Sequence, residues 1–216
     1  MKGMRFLMGA AAVLLVLCVG CQAVFTFSPM SFLQRDPSRL PLAQKMTYAE
    51  NALASGDDQA MLAAYNAIKN DAGGSSDGDL NLLAARLAME LSGVPDLINE
   101  ALAGNIQLST SGSPGDYSAF LAALDVSYLA EADGFYLDAQ ANGGELNSTD
   151  YLLGTICILA ASAGDPPDFT APVTAPALTD ATAFLDAGIN SLPPGDPAAS
   201  ALQDFYDFID TEMSEA

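Results

Sequence analysis

The chain contains no histidine and no tryptophan, only 7 lysines and arginines against 27 acids, and 3 cysteines. Without histidine, Ser-His-Asp and Cys-His catalysis and most zinc sites are excluded. The shortage of bases is uneven: Arg86 is the last basic residue, and Leu87 to Ala216 holds none. A surface of that sign repels nucleic acid and anionic headgroups; it suits solubility, a cation-rich milieu or a basic partner. No phosphate-cradling glycine loop and no dinucleotide fingerprint is present. Carboxylate pairs able to cleave glycosides cannot be singled out among so many acids. Asp77-Gly78-Asp79-Leu80-Asn81 begins like a calcium loop, but Leu82 stands where the loop needs glycine and Ala88 where it needs glutamate. Asp79 reads more simply as a helix cap. The expectation is a protein that is not an enzyme, with no cofactor, no metal and no nucleic-acid partner.

What is present begins at the N-terminus. Lys2 and Arg5 precede a short apolar core, Phe6 to Leu17, of the length of a signal peptide. Small residues follow up to Gly20-Cys21. The run Leu14-Leu15-Val16-Leu17-Cys18-Val19-Gly20-Cys21 resembles the lipobox of bacterial lipoproteins, with Cys18 where leucine is commonest. That resemblance implies cleavage before Cys21 and a thioether-linked diacylglycerol on Cys21. Two or three acyl chains at ~0.8 kcal/mol per buried CH₂ anchor stably. It also implies a location in the bacterial cell envelope facing the periplasm or exterior, with Gln22 favouring the outer membrane. The alternative leaves Phe6 to Phe27 uncleaved as a span of about the ~20 residues a bilayer needs. The expected organisation is a signal peptide over 1–20, a lipidated arm over 21–40, and an acidic helical domain over 41–216. Loss of Lys2 and Arg5 moves the net charge from −20 to −22. With Cys18 removed and Cys21 lipidated, Cys157 stands alone in an apolar run and reads as a buried structural thiol.

Phe25, Phe27, Met30, Phe32 and Leu33 follow the anchor and read as an arm over the first helix pair or as a lipid-interface segment. Helical spacing starts after Pro41, with Leu42, Met46, Ala49 and Leu53 on one face and Gly56 as the stop. Asp57 or Asp58 caps a second helix facing inward through Met61, Ala64, Tyr65 and Ile68. Leu80, Leu83, Ala84, Leu87 and Leu91 form a third stripe, which Leu82 and Met89 widen into a helix apolar nearly all round, suited to the middle of the body. A fourth helix is expected from Pro95 through Leu102. Another runs from Phe120 and Leu124 through Tyr128, Leu129, Ala132, Phe135 and Tyr136 to Asn142-Gly143-Gly144. Ser148 or Thr149 caps the most hydrophobic helix, Tyr151 to Ala163. The proline-rich stretch 164–178 is expected to be a loop. Phe184, Leu185 and Ile189, then Leu202, Phe205, Phe208 and Ile209, supply the last pair. No strand alternation occurs, and the fold is expected to be all-α.

The helices come as hairpins punctuated by Gly56-Asp57, Gly93, Gly164-Asp165 and Gly195-Asp196. Leu53-Ala54-Ser55-Gly56-Asp57 followed by Ala60, Ala64, Tyr65 and Ile68 resembles the seam of a tetratricopeptide repeat, whose period is ~34 residues. The resemblance implies antiparallel hairpins in an irregular solenoid; the uneven spacing leaves a compact bundle equally open. Tyr117, Tyr128, Tyr136 and Tyr151 lie in the middle hairpins, either as core residues with hydroxyls reaching water or as a binding surface. Two functions follow as expectations: a membrane-anchored protein-interaction or scaffold module with an envelope protein partner, or a small-ligand or cation-binding accessory lipoprotein of an uptake system.

Overall fold

The computed structural model describes residues 36–96, 124–162, 173–193 and 195–213. Cys21, the apolar segment at 6–27, the arm up to residue 35, the expected fourth helix beyond Asp96 and Tyr117 lie outside them, as does most of the proline-rich stretch. A 3-10 turn, Pro37–Arg39, opens the body. The α-helices among the described residues are α1 (Leu42–Ser55), α2 (Asp58–Ala72), α3 (Gly78–Leu91), α4 (Val126–Ala141), α5 (Ser148–Ala161), α6 (Ala175–Ser191) and α7 (Pro197–Phe208), followed by a π-helical turn at Ile209–Met213. No strand occurs among the described residues, and the fold is all-α. None of these helices is long and apolar enough to cross a membrane.

Short polar residues start the helices. Asp57 accepts the Ala60 N–H at 2.8 Å and Asp77 accepts the Leu80 N–H at 3.1 Å, each satisfying an orphan donor of a first turn. The cap of α3 is therefore Asp77; Asp79 lies inside the helix and accepts the Glu145 N–H at 3.3 Å. At α5 the cap is Asn147, one residue before Ser148 and two before Thr149, the expected caps. Asn147 and Asp150 exchange hydrogen bonds in a capping box, so the third helical residue takes part in setting the start. Gly56 ends α1 with φ +63°, a left-handed turn that glycine enters without a Cβ clash. Residues 175–178 are helical, against the loop expected there: Thr174 caps α6 and Pro176 sits in its first turn, where no N–H is missed.

Packing follows chain order. Each described helix packs chiefly on its neighbour in sequence, α1 on α2 through α6 on α7, with lesser contacts of α1 with α3 and of α5 with α7. The antiparallel hairpins are held by one continuous core. Helix α3 is buried nearly all round, including Leu82 and Met89, because α1, α2 and α4 surround it. Helix α1 is the opposite case: Ala49 and Ala52 are buried, but Leu42 remains 41% exposed. Aromatic rings form two groups on either side of α4. Tyr65 of α2 meets Tyr128 and Phe135 edge-on, with centroids 5.5 and 6.4 Å apart. Phe184 of α6 meets Tyr136 at 6.3 Å and Tyr151 at 5.1 Å. Two glycines admit these rings, since a Cβ on Gly154 or Gly188 would stand 2.6 Å from Phe184 or Tyr151 respectively.

Candidate functional site

The few bases of the body are used across helices. Lys45 of α1 binds Asp71 of α2 at 2.6 Å, and Lys69 of α2 reaches Glu131 of α4 at 3.8 Å. Arg86 of α3 grips Asp150 of α5 with two parallel bonds, Nε to Oδ1 at 2.9 Å and Nη2 to Oδ2 at 2.7 Å. Asp150 is buried, and its Oδ2 also accepts the Asn147 N–H at 2.8 Å. One carboxylate thus starts α5 and ties it to α3. The pair raises the Arg86 pKa further above its already high value.

Beside this pair lies an open cleft of about 370 Å³. Its polar wall is Arg86, Glu90, Thr149 and Asp150; Leu53, Met89 and Leu153 make it apolar elsewhere. Tyr136 of α4 also contributes. Its side chain is 0% exposed, and its hydroxyl has no hydrogen-bond partner. Burial, then the neighbouring Cys157 and Asp150, push that phenol well above the usual tyrosine range, while Arg86 pulls it down. The Glu90 carboxyl, at the outer edge, is raised by partial desolvation and by Asp96. A smaller open cleft of about 260 Å³ lies by Tyr65, Lys69 and Glu131. There the Tyr65 hydroxyl donates to Glu131 and Lys69 lies 5.3 Å above the Tyr65 ring.

Cys157 is fully buried in α5, and burial raises its thiol pKa, so the thiolate needed for nucleophilic chemistry is disfavoured. Asp77 and Asp79 serve backbone N–H groups as described above, and Asn81 is buried with its amide donating to the Ser75 carbonyl at 3.0 Å. Among the described residues no group of three or more His, Cys, Asp or Glu is placed to hold a metal ion. Of the middle tyrosines, Tyr136 and Tyr151 are core residues and Tyr128 is half-buried. The Tyr136 hydroxyl does not reach water, contrary to the expectation for a core tyrosine with a wet tip. Sequence reasoning did not single out Arg86, Glu90 and Asp150 as neighbours of Tyr136. The available signal was that Arg86 is the last base of the chain and falls in an otherwise apolar helix, where an opposite charge from another element is required. The chain matches no protein-family model, no curated protein and no solved structure.

Proposed function

We propose that the chain is a lipid-anchored lipoprotein of the bacterial cell envelope, tethered through Cys21, whose helical body is a non-catalytic module that binds an envelope protein. The observation that supports the interaction role is the chain-order stacking of helical hairpins. Packing of successive hairpins in chain order is the arrangement through which helical-repeat proteins present surfaces to partners. The lipobox-like run supports the anchor and, with Gln22, an outer-membrane site. Catalysis has no support: the chain has no histidine and its buried thiol is held protonated. The anchor is tested by mass spectrometry of the N-terminal peptide, which is expected to begin at Cys21 and to carry a diacylglycerol that Cys21→Ser abolishes. A native chain found in membranes with an unacylated, uncleaved N-terminus would overturn the anchor. Crosslinking in native membranes and mass spectrometry test the module: a stoichiometric envelope protein joined to the helical body is expected, and recovery of the chain alone would end the idea.

A second reading, a small-ligand-binding accessory lipoprotein of an uptake system, is favoured by one feature. The cleft of α3 and α5 brings both signs of charge to an unpartnered buried hydroxyl. Ligands that bind the folded state raise its melting temperature. A flat thermal response to amino acids, polyamines and calcium would remove this reading.

A further inference from the structure

The cleft beside the Arg86–Asp150 pair has opposite electrical ends. On one side stand the Arg86 guanidinium and the N-terminal turn of α5, whose aligned peptide dipoles favour negative charge. Arg86 commits Nε and Nη2 to Asp150, leaving Nη1 for another acceptor, and its side chain is 37% exposed. On the other side is Glu90, one turn along α3 and next to that helix's negative C-terminal end. Between them Leu53, Met89 and Leu153 offer an apolar wall. The Tyr136 hydroxyl lies in the wall with no partner, though it interacts electrostatically with Arg86, Asp150 and Glu90. Leaving a buried hydroxyl unpaired costs ~1–3 kcal/mol, and phenylalanine would fill the same space without that cost.

We infer that this cleft binds a small zwitterion with an apolar body, of the α-amino-acid class. Its carboxylate is held by Arg86 Nη1 and, after a small shift of the ring that opens it to the cleft, by the Tyr136 hydroxyl, its ammonium by Glu90, and its side chain by Leu53 and Leu153. The inference rests on the ligand-binding reading above and specifies its ligand. A simple anion meets Glu90, Asp150 and the field of a chain with net charge −20; a simple cation leaves Arg86 Nη1 and the Tyr136 hydroxyl without an acceptor. Only a ligand carrying both charges is favoured at both ends. The volume, about 370 Å³, is at the low end of the ~300–1,000 Å³ of small-molecule sites and suits a single residue rather than a peptide.

The test uses the full chain in calorimetry and thermal-shift titrations. The probes are leucine, N-acetyl-leucine (anion only), leucinamide (cation only) and glycine (zwitterion without a body). Leucine is expected to bind, with each of the others weaker by about tenfold, the loss of a charged hydrogen bond or of the apolar contact. Tyr136→Phe is expected to weaken leucine several-fold without lowering the melting temperature of the free protein. Glu90→Gln, at an exposed position, weakens it similarly and serves if Tyr136→Phe does not fold. Leucine binding untouched by both substitutions overturns the assignment of this cleft. Equal binding of a singly charged analogue, lost in those variants, overturns the zwitterion while the ligand-binding reading stands. No response to any probe overturns the zwitterion, and the ligand-binding reading falls with it only if polyamines and calcium give no thermal response either.

Discussion

Asp150 carries three hydrogen bonds in an almost solvent-free position, two from Arg86 and one from the Asn147 backbone. Breaking a buried ion pair by removing one partner strands the other charge, a loss of ~3–5 kcal/mol when both are buried. Arg86 is partly exposed, so Arg86→Met is expected to lose about 2–3 kcal/mol in urea unfolding. Adding Asp150→Asn should restore part of that, because Asn keeps the acceptor for Asn147 without the charge. A loss under about 0.5 kcal/mol for Arg86→Met would show the pair to be ornamental. Three other buried groups set the alkaline limit. Tyr65, Tyr136 and Cys157 all hold their protons above their ordinary ranges, chiefly through burial. The unfolded chain releases these protons first, from about pH 8.5 for the thiol and about pH 10 for the phenols. Above those values the unfolded state binds fewer protons, so stability present at neutral pH falls by up to ~1.4 kcal/mol per pH unit for each group. Urea midpoints at pH 8 to 11 check this; a flat profile would contradict it.

At the scale of elements, caps and glycines decide where helices stop and how closely they meet. Gly188 of α6 faces the ring of Tyr151 in α5: a Cβ there would lie 2.6 Å from Cγ and 2.9 Å from Cδ1 and Cδ2. The root of the ring cannot swing away. Gly188→Ala is therefore expected to lose ~1–2 kcal/mol, overpacking outweighing the ~1 kcal/mol that alanine adds to helix propensity. Gly134 in α4 is the control, because a Cβ there meets nothing within 4 Å. Gly134→Ala should gain up to ~1 kcal/mol. Thermal melts of the two variants shifting the same way would refute the packing account. Gly78 and Gly144 mark a closer approach, of backbone to backbone. A Cβ at Gly78 would be 2.8 Å from the Asn142 carbonyl oxygen and closer still to the Gly144 nitrogen. The start of α3 and the turn after α4 can therefore touch only as glycines.

The whole molecule is governed by its charge. With 27 acids and 7 bases, like-charge repulsion favours expansion, and the inter-helix ties offset only part of it. Exposed pairs such as Lys69–Glu131 contribute ~0–1 kcal/mol each, less than the summed repulsion that salt relieves. Raising NaCl from ~0.01 to ~0.5 M shortens the screening length from ~30 Å to under ~8 Å and should raise the melting temperature. A fall instead would mean that the ion pairs outweigh the repulsion. Chain-order packing also means that each described helix makes most of its inter-helix contacts with its neighbours in sequence.

The all-α class, the buried third helix and the inner faces of α2, α3 and α6 were legible from spacing alone, because an apolar stripe every three to four residues marks the face a helix turns to the core. The stop at Gly56 and the cap at Asp57 were legible because few residue types can do those jobs. Other features required three dimensions. Whether Asn147 or Ser148 starts α5 depends on Asp150 folding back on the cap, and the start of α6 depends on the tolerance of a first turn for Pro176. The pairing of Arg86 with a carboxylate 64 residues away, and the arrival of Tyr136 beside both, come from the packing of α3, α4 and α5. Periodicity says which face is buried; only tertiary packing says against what, and therefore which buried hydroxyl is left without a partner.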